Sequence, residues 1–115
     1  MASQERDILH EVHLRLGSLP GVMLHRFAPG HYYTKRGTPI TPVPKGFPDL
    51  AGWAEARRYG YAAVWLGVEV KSETGRQSEE QRRWQDWADK AGAIYLLVRS
   101  ADDAERQLKG RLGLP

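Results

Sequence analysis

The chain has 115 residues, a formal net charge of +3 and no cysteine. A core of this size needs neither disulfides nor a structural metal, and without thiols there is no disulfide framework, thiolate zinc site or cysteine nucleophile. The longest mostly apolar stretch, Tyr61 to Val68, is far short of the ~20 residues that span a bilayer. Residues 1–11 have no apolar segment of signal-peptide type. The expectation is one globular domain over residues 1–115, away from the membrane, in a reducing, cytoplasmic compartment.

Residues 4–16 read as a helix, with Ser3 as cap and Ile8, Leu9, Val12 and Leu16 as its apolar stripe. Gly17 and Pro20 end it, and residues 21–27 read as a strand. From Ala28 to Phe47 there are Lys35, Arg36 and Lys45 and no acid, among Pro29, Pro39, Pro42, Pro44, Gly30, Gly37 and Gly46. So many breakers exclude a helix or a central strand, and the segment reads as a long loop that holds the excess positive charge.

Residues 48–53 read as a short strand and 63–71 as a stronger one. Val64, Leu66, Val68 and Val70 share one face of it, and Trp65, Gly67, Glu69 and Lys71 the other. Ser78-Glu79-Glu80-Gln81 has the form of a capping box. The helix it opens runs to about Ala91, with Trp84, Trp87, Ala88 and Ala91 as its apolar face and Gly92 as its stop. Gln81 lies one turn before Trp84, on the face toward the sheet. Residues 94–98 are an unbroken apolar run, a strand covered on both faces, and 101–112 a last helix. The order α-β-β-β-α-β-α predicts an α/β fold with a mixed central sheet, flanking helices, and the last two strands parallel.

Glu69 and Lys71 project to one side at the carboxyl end of a central strand, where open α/β sheets bind ligands. Read alone, the pair is as well explained by a solvated strand end. Asp49 adds a second carboxylate from the neighbouring strand. Two close carboxylates repel unless a cation lies between them, and oxygen-only ligation suits a hard divalent ion such as Mg2+ or Mn2+. Such an ion polarises a phosphate oxygen and acidifies a water molecule, and an ammonium offsets developing phosphorane charge. Asp, Glu and Lys together therefore form a phosphodiester-cleaving set. His10-Glu11-Val12-His13 lacks the i, i+4 histidine spacing of a zinc protease, and its histidines read as surface residues or helix-flank DNA contacts.

Gly46-Phe47-Pro48-Asp49-Leu50, then Glu69-Val70-Lys71, then Gly75-Arg76-Gln77-Ser78-Glu79-Glu80-Gln81 together resemble the VRR-NUC (virus-type replication-repair nuclease) domain of the PD-(D/E)XK superfamily, in its stand-alone minimal form. The resemblance implies a restriction-endonuclease-like core. It implies Mg2+ or Mn2+ held by Asp49, Glu69 and the Val70 backbone carbonyl, with Lys71 as the catalytic lysine and Gln81 reaching the site from its helix. Family members also place a glutamate of the first helix near the metal, and Glu11 is the matching candidate. The implied activity is metal-dependent, structure-specific cleavage of branched DNA, such as Holliday junctions or flaps, in DNA repair. The implied enzyme is a homodimer in a bacterial or phage-infected cell.

With that resemblance, Lys35, Arg36 and Lys45 read as phosphate contacts beside His31, Tyr32 and Tyr33, and Arg76, Ser78, Arg82 and Arg83 as the other wall of a DNA cleft. Trp53, Trp84 and Trp87 read as core, while Trp65 shares the face of Glu69. A non-cleaving DNA-binding or assembly module is the alternative. A sequence-specific restriction-type nuclease is a third reading and ranks below structure-specific cleavage, because so short a chain has little surface for base readout.

Overall fold

The computed structural model describes residues 3–27, 32–40, 43–56 and 62–115. Helix α1 (Ser3–Gly17) leads into β1 (Val22–Arg26); β2 (Tyr32–Tyr33), β3 (Pro39–Ile40), β4 (Leu50–Ala54) and β5 (Val64–Val70) follow, then α2 (Glu79–Ala91), β6 (Ile94–Val98) and α3 (Ala101–Leu112). The side chain of Ser3, the expected cap, lies outside the described residues, as does His31.

Four strands form a sheet in the order β1-β4-β5-β6. β4 is antiparallel to both β1 and β5, and β5 is parallel to β6 across α2. The sheet is therefore mixed, with flanking helices. The alternation in β5 sets its layers. Leu66, Val68 and Val70 lie in register with Ile94, Leu96 and Val98. They are buried in one core with Leu9, Val12 and Leu16 of α1 and Ala104, Leu108 and Leu112 of α3. On the opposite face, the Phe47 ring meets Trp65 of β5 and Trp84 of α2, with centroids 6.4 and 5.1 Å away.

Two expectations change here. The proline-rich stretch contains a hairpin, β2 paired antiparallel with β3, so the order has two more strands than predicted. Its turn closes through Thr34 N–H to Thr38 O (2.9 Å) and Gly37 N–H to Thr34 O (2.9 Å), with Gly37 at φ +85°. This is a three-residue hairpin loop with its glycine in the left-handed region. Prolines hid it, because they signal breaks and yet are tolerated in edge strands.

The tryptophans also divide differently. Trp84 is half-buried, while Trp53 and Trp87 are 51% and 58% exposed, and Ala91 is exposed as well. Met23, Trp53 and Trp65 are opposite one another across β1, β4 and β5, and Met23 is 52% exposed. α2 packs on the β6 side, so this apolar row is only partly covered.

Candidate active site

The site lies where β4 begins and β5 ends. Asp49 is held from both sides: its carbonyl accepts from Phe27 N–H (3.0 Å), and its Oδ2 accepts from Val70 N–H (2.8 Å). A side chain thus takes the place of the next ladder bond and is fixed against β5 before any ligand arrives.

Glu69 is wholly buried, 0% exposed, which removes the solvated strand-end reading. Its Oε1 accepts the Tyr95 hydroxyl at 2.9 Å, and its Oε2 is buried with no hydrogen-bond partner. Burial pushes the Glu69 carboxyl upward, opposed by the Tyr95 hydroxyl and the Lys71 charge and reinforced by Asp49. Burial likewise raises Asp49, against the Val70 N–H and the Lys71 charge, while Glu5 raises it further and Arg26 lowers it. Burial also raises the Tyr95 hydroxyl, and the charge of Glu69 adds to it, so Tyr95 is a donor and not an anion. The charge of half-buried Lys71 thus acts on both carboxylates, and that of Asp49 on Glu69.

Two expected residues are not where the sequence reading put them. Glu11 is exposed. The α1 carboxylate beside the site is Glu5, whose Oε1 accepts from Ser72 N–H at 3.2 Å. Six residues separate Glu5 from Glu11, about 9 Å along the helix axis. The sequence signal was there: Glu5 lies one turn before Leu9, on the buried stripe, and Glu11 lies off it. Gln81, the second, closes the capping box. Its Oε1 accepts from Ser78 N–H (2.8 Å) while its own N–H donates to Ser78 Oγ (3.2 Å). The amide beside the acidic pair belongs instead to Gln77, which favours the ionised form of Glu69 and donates to Gln85 Oε1 at 2.9 Å.

Arg99 was missed as well. Its guanidinium donates to the carbonyls of Ser72 (2.6 Å), Glu73 (3.3 Å) and Gly75 (2.8 Å), pinning the loop that follows Lys71. A Cβ on Gly75 would lie 3.1 Å from Glu5 Oε1, so that loop closes directly on α1.

The expected DNA contacts are dispersed. Lys35 and Arg36 are exposed at the hairpin turn. Lys45 has an acidic partner, Glu80 Oε1 at 3.4 Å, so the acid-free loop is compensated in space by α2. Arg76, Arg82 and Arg83 are exposed, and Ser78 is committed to its cap. His13 Nε2 is 3.0 Å from Leu24 O, a tie between α1 and β1.

The donor set fits a divalent ion. Among the described residues no group of three or more His, Cys, Asp or Glu side chains could hold a metal. What is present is a pair of carboxylates, one with an orphaned buried oxygen, and Mg2+ characteristically binds one or two carboxylates and retains several waters.

The VRR-NUC domain family model matches residues 40–102, which include Asp49, Glu69, Lys71, Gln77, Gln81, Tyr95 and Arg99. The chain belongs to the VRR-NUC domain family. A solved structure described as a VRR_NUC domain protein shares the fold, with TM-score 0.62 and 15% identity, over 99% of this chain and 92% of the other. No curated protein matches the sequence. VRR-NUC domains are generally nucleases that use divalent metals and act on DNA, and this chain has the nuclease-like fold. Glu5 and Glu11 of α1 fall outside the matched segment. No helix among the described residues is long and apolar enough to cross a membrane.

Proposed function

We propose that residues 1–115 form one PD-(D/E)XK-type nuclease domain that hydrolyses DNA phosphodiester bonds with Mg2+ or Mn2+ at branched structures such as Holliday junctions or flaps. The observation that carries the reading is Glu69: a wholly buried carboxylate with one orphaned oxygen, beside Asp49 and Lys71, costs free energy unless a cation completes it. Asp49, Glu69 and the Val70 carbonyl would hold the ion, with Glu5 replacing Glu11 as the α1 carboxylate. When bound, the ion supplies charge neutralisation at the phosphate and a more acidic water. Lys71 orients the attacking water and offsets charge on the phosphate, while the Val70 N–H holds Asp49 still. Gln81 supports the site through the cap of α2 and Gln77 through its amide.

Lys35 and Arg36 at the hairpin turn, with exposed Arg76 and Arg82, would contact the DNA backbone. The two-fold demanded by a four-way junction suits a homodimer, and the Met23–Trp53–Trp65 row is an apolar face open to a second copy. The cell cytoplasm is the expected place of action.

Labelled four-way, flap, single-stranded and linear duplex DNA incubated with Mg2+ tests the reading. Cleavage of a branched substrate is expected, lost in Lys71→Ala, strongly reduced in Glu5→Gln and retained in Glu11→Gln. Absence of cleavage on every substrate, with DNA binding intact, would favour a non-cleaving DNA-binding module. A second expected result concerns Lys35→Ala/Arg36→Ala. Each lost phosphate contact flattens the dependence of log affinity on log salt by about 0.9 for duplex DNA, so the double variant should lose roughly 1.8 of slope. An unchanged slope in a salt titration would remove the hairpin from the interface.

A further inference from the structure

The neighbours of Glu69 include one group with no assigned role. Tyr95 is 2% exposed and sits on β6 in register with Gly67, while Glu69 is in register with Leu97. Its hydroxyl therefore reaches two residues along the sheet, about 6.6 Å, to donate to Glu69 Oε1. The space over Gly67, its neighbour in register, is taken by the Trp65 ring and Pro48: a Cβ there would lie 2.5 and 3.0 Å from them. The Gln77 amide lies near both members of the pair and is tied in turn to Gln85 of α2.

We propose that Tyr95 is a positioning residue: by holding Oε1 it fixes the Glu69 carboxylate in the orientation that leaves Oε2 as the donor for a divalent cation. This rests on the reading of Asp49 and Glu69 as a divalent-ion site. The choice of group has a chemical reason. A lysine or arginine here would also hold Oε1, but it would neutralise the carboxylate and compete with the ion. A neutral hydroxyl orients the carboxylate and leaves its charge intact. Tyrosine also has few rotatable bonds, so a buried ring sets the hydroxyl position firmly. Groups of this kind behind a metal ligand typically change metal affinity by about 10–100-fold when removed.

Calorimetric titration of wild type, Asp49→Ala and Tyr95→Phe with Mn2+ tests it, alongside thermal melts of the metal-free proteins. The phenyl ring fills the same space, so Tyr95→Phe is expected to melt cooperatively and to bind Mn2+ at least about 10-fold more weakly. Its cleavage should require correspondingly more Mn2+ and approach the wild-type rate at saturation. A purely structural role would change the melt and leave the Mn2+ midpoint in place. Affinity within about twofold of wild type overturns the inference while leaving the metal site standing. If wild type itself binds no Mn2+, the metal-site reading fails and this inference with it. Should Tyr95→Phe not fold, Gln77→Ala carries the same test from a loop position: weakened Mn2+ binding supports the network, and wild-type affinity overturns it.

Discussion

Glu69→Gln is expected to slow cleavage severely and, in the same protein, to raise the melting temperature of the metal-free form. The opposite signs come from one feature. Glu69 is wholly buried and its Oε2 has no partner, so the ionised carboxylate stands against its own desolvation. Glutamine keeps an oxygen to accept the Tyr95 hydroxyl and removes the charge, while its neutral Nε2 takes the unpartnered place of Oε2. An orphaned buried charge costs more than the roughly 1–3 kcal/mol of an orphaned neutral group, so removing the charge is a net gain, and 1 kcal/mol moves the midpoint of a domain this size by about 4 °C. Activity should fall by roughly 10²–10³-fold, as when a principal electrostatic contributor is removed.

The pH dependence has a definite sign. Because the folded-state pKa of Glu69 is raised, its contribution to stability is fully present below its ordinary value and is lost as pH rises through the folded one. The gain in Glu69→Gln should therefore vanish at acidic pH, where wild-type Glu69 is protonated, and grow toward neutrality. Mn2+ at neutral pH should recover the difference in wild type and not in the variant, since a ligand of the folded state stabilises it by mass action. Melts of both proteins between pH 4 and 8, with and without Mn2+, measure all of this. A variant that is less stable than wild type at pH 8 without metal would contradict the uncompensated charge.

The second large effect is structural. Gly46 has φ +85°, and a Cβ there would lie 2.5 Å from the Glu80 backbone carbon and 2.7 Å from its oxygen. The loop carrying Phe47 and Asp49 thus rests directly on the first turn of α2. Gly46→Ala incurs about 1–2 kcal/mol for the left-handed conformation and a further 1–3 kcal/mol or so for the forced contact. At about 4 °C per kcal/mol the loss is large. Gly92→Ala is the control: it shares the left-handed conformation at φ +81° but has nothing within 4 Å, so it carries only the conformational cost. The melting point should fall at least about twice as far for Gly46→Ala. Equal losses would mean that the loop does not bear on the helix. DNA cleavage should fall with Gly46→Ala even at temperatures where it is folded, because displacing this loop moves Asp49 away from the Val70 N–H.

Much of the site was legible from local pattern. Alternation in β5 placed Glu69 and Lys71 together on the face opposite Leu66, Val68 and Val70, and Pro48-Asp49 brought in the second carboxylate. The capping box at Ser78 and Gln81 was legible too, and it already contained the correction to Gln81. A side chain that closes the cap of its own helix has its oxygen committed there. Glu5 could have been found by extending the stripe of Leu9 and Val12 back one turn. The link between Lys45 and Glu80 could not, since nothing in either neighbourhood indicates that the loop and α2 meet.

The sequence by itself determined the helices, the main strands and the carboxyl end of β5 as the place for chemistry. These follow from side-chain period and from hydrogen bonds between near neighbours, both of which are written along the chain. The tertiary structure alone decided that Glu69 is sealed from water, and that Tyr95 holds one of its oxygens and leaves the other bare. Burial of a charge depends on what covers it, and here Tyr95 of β6, 26 residues further along the chain, lies against Glu69.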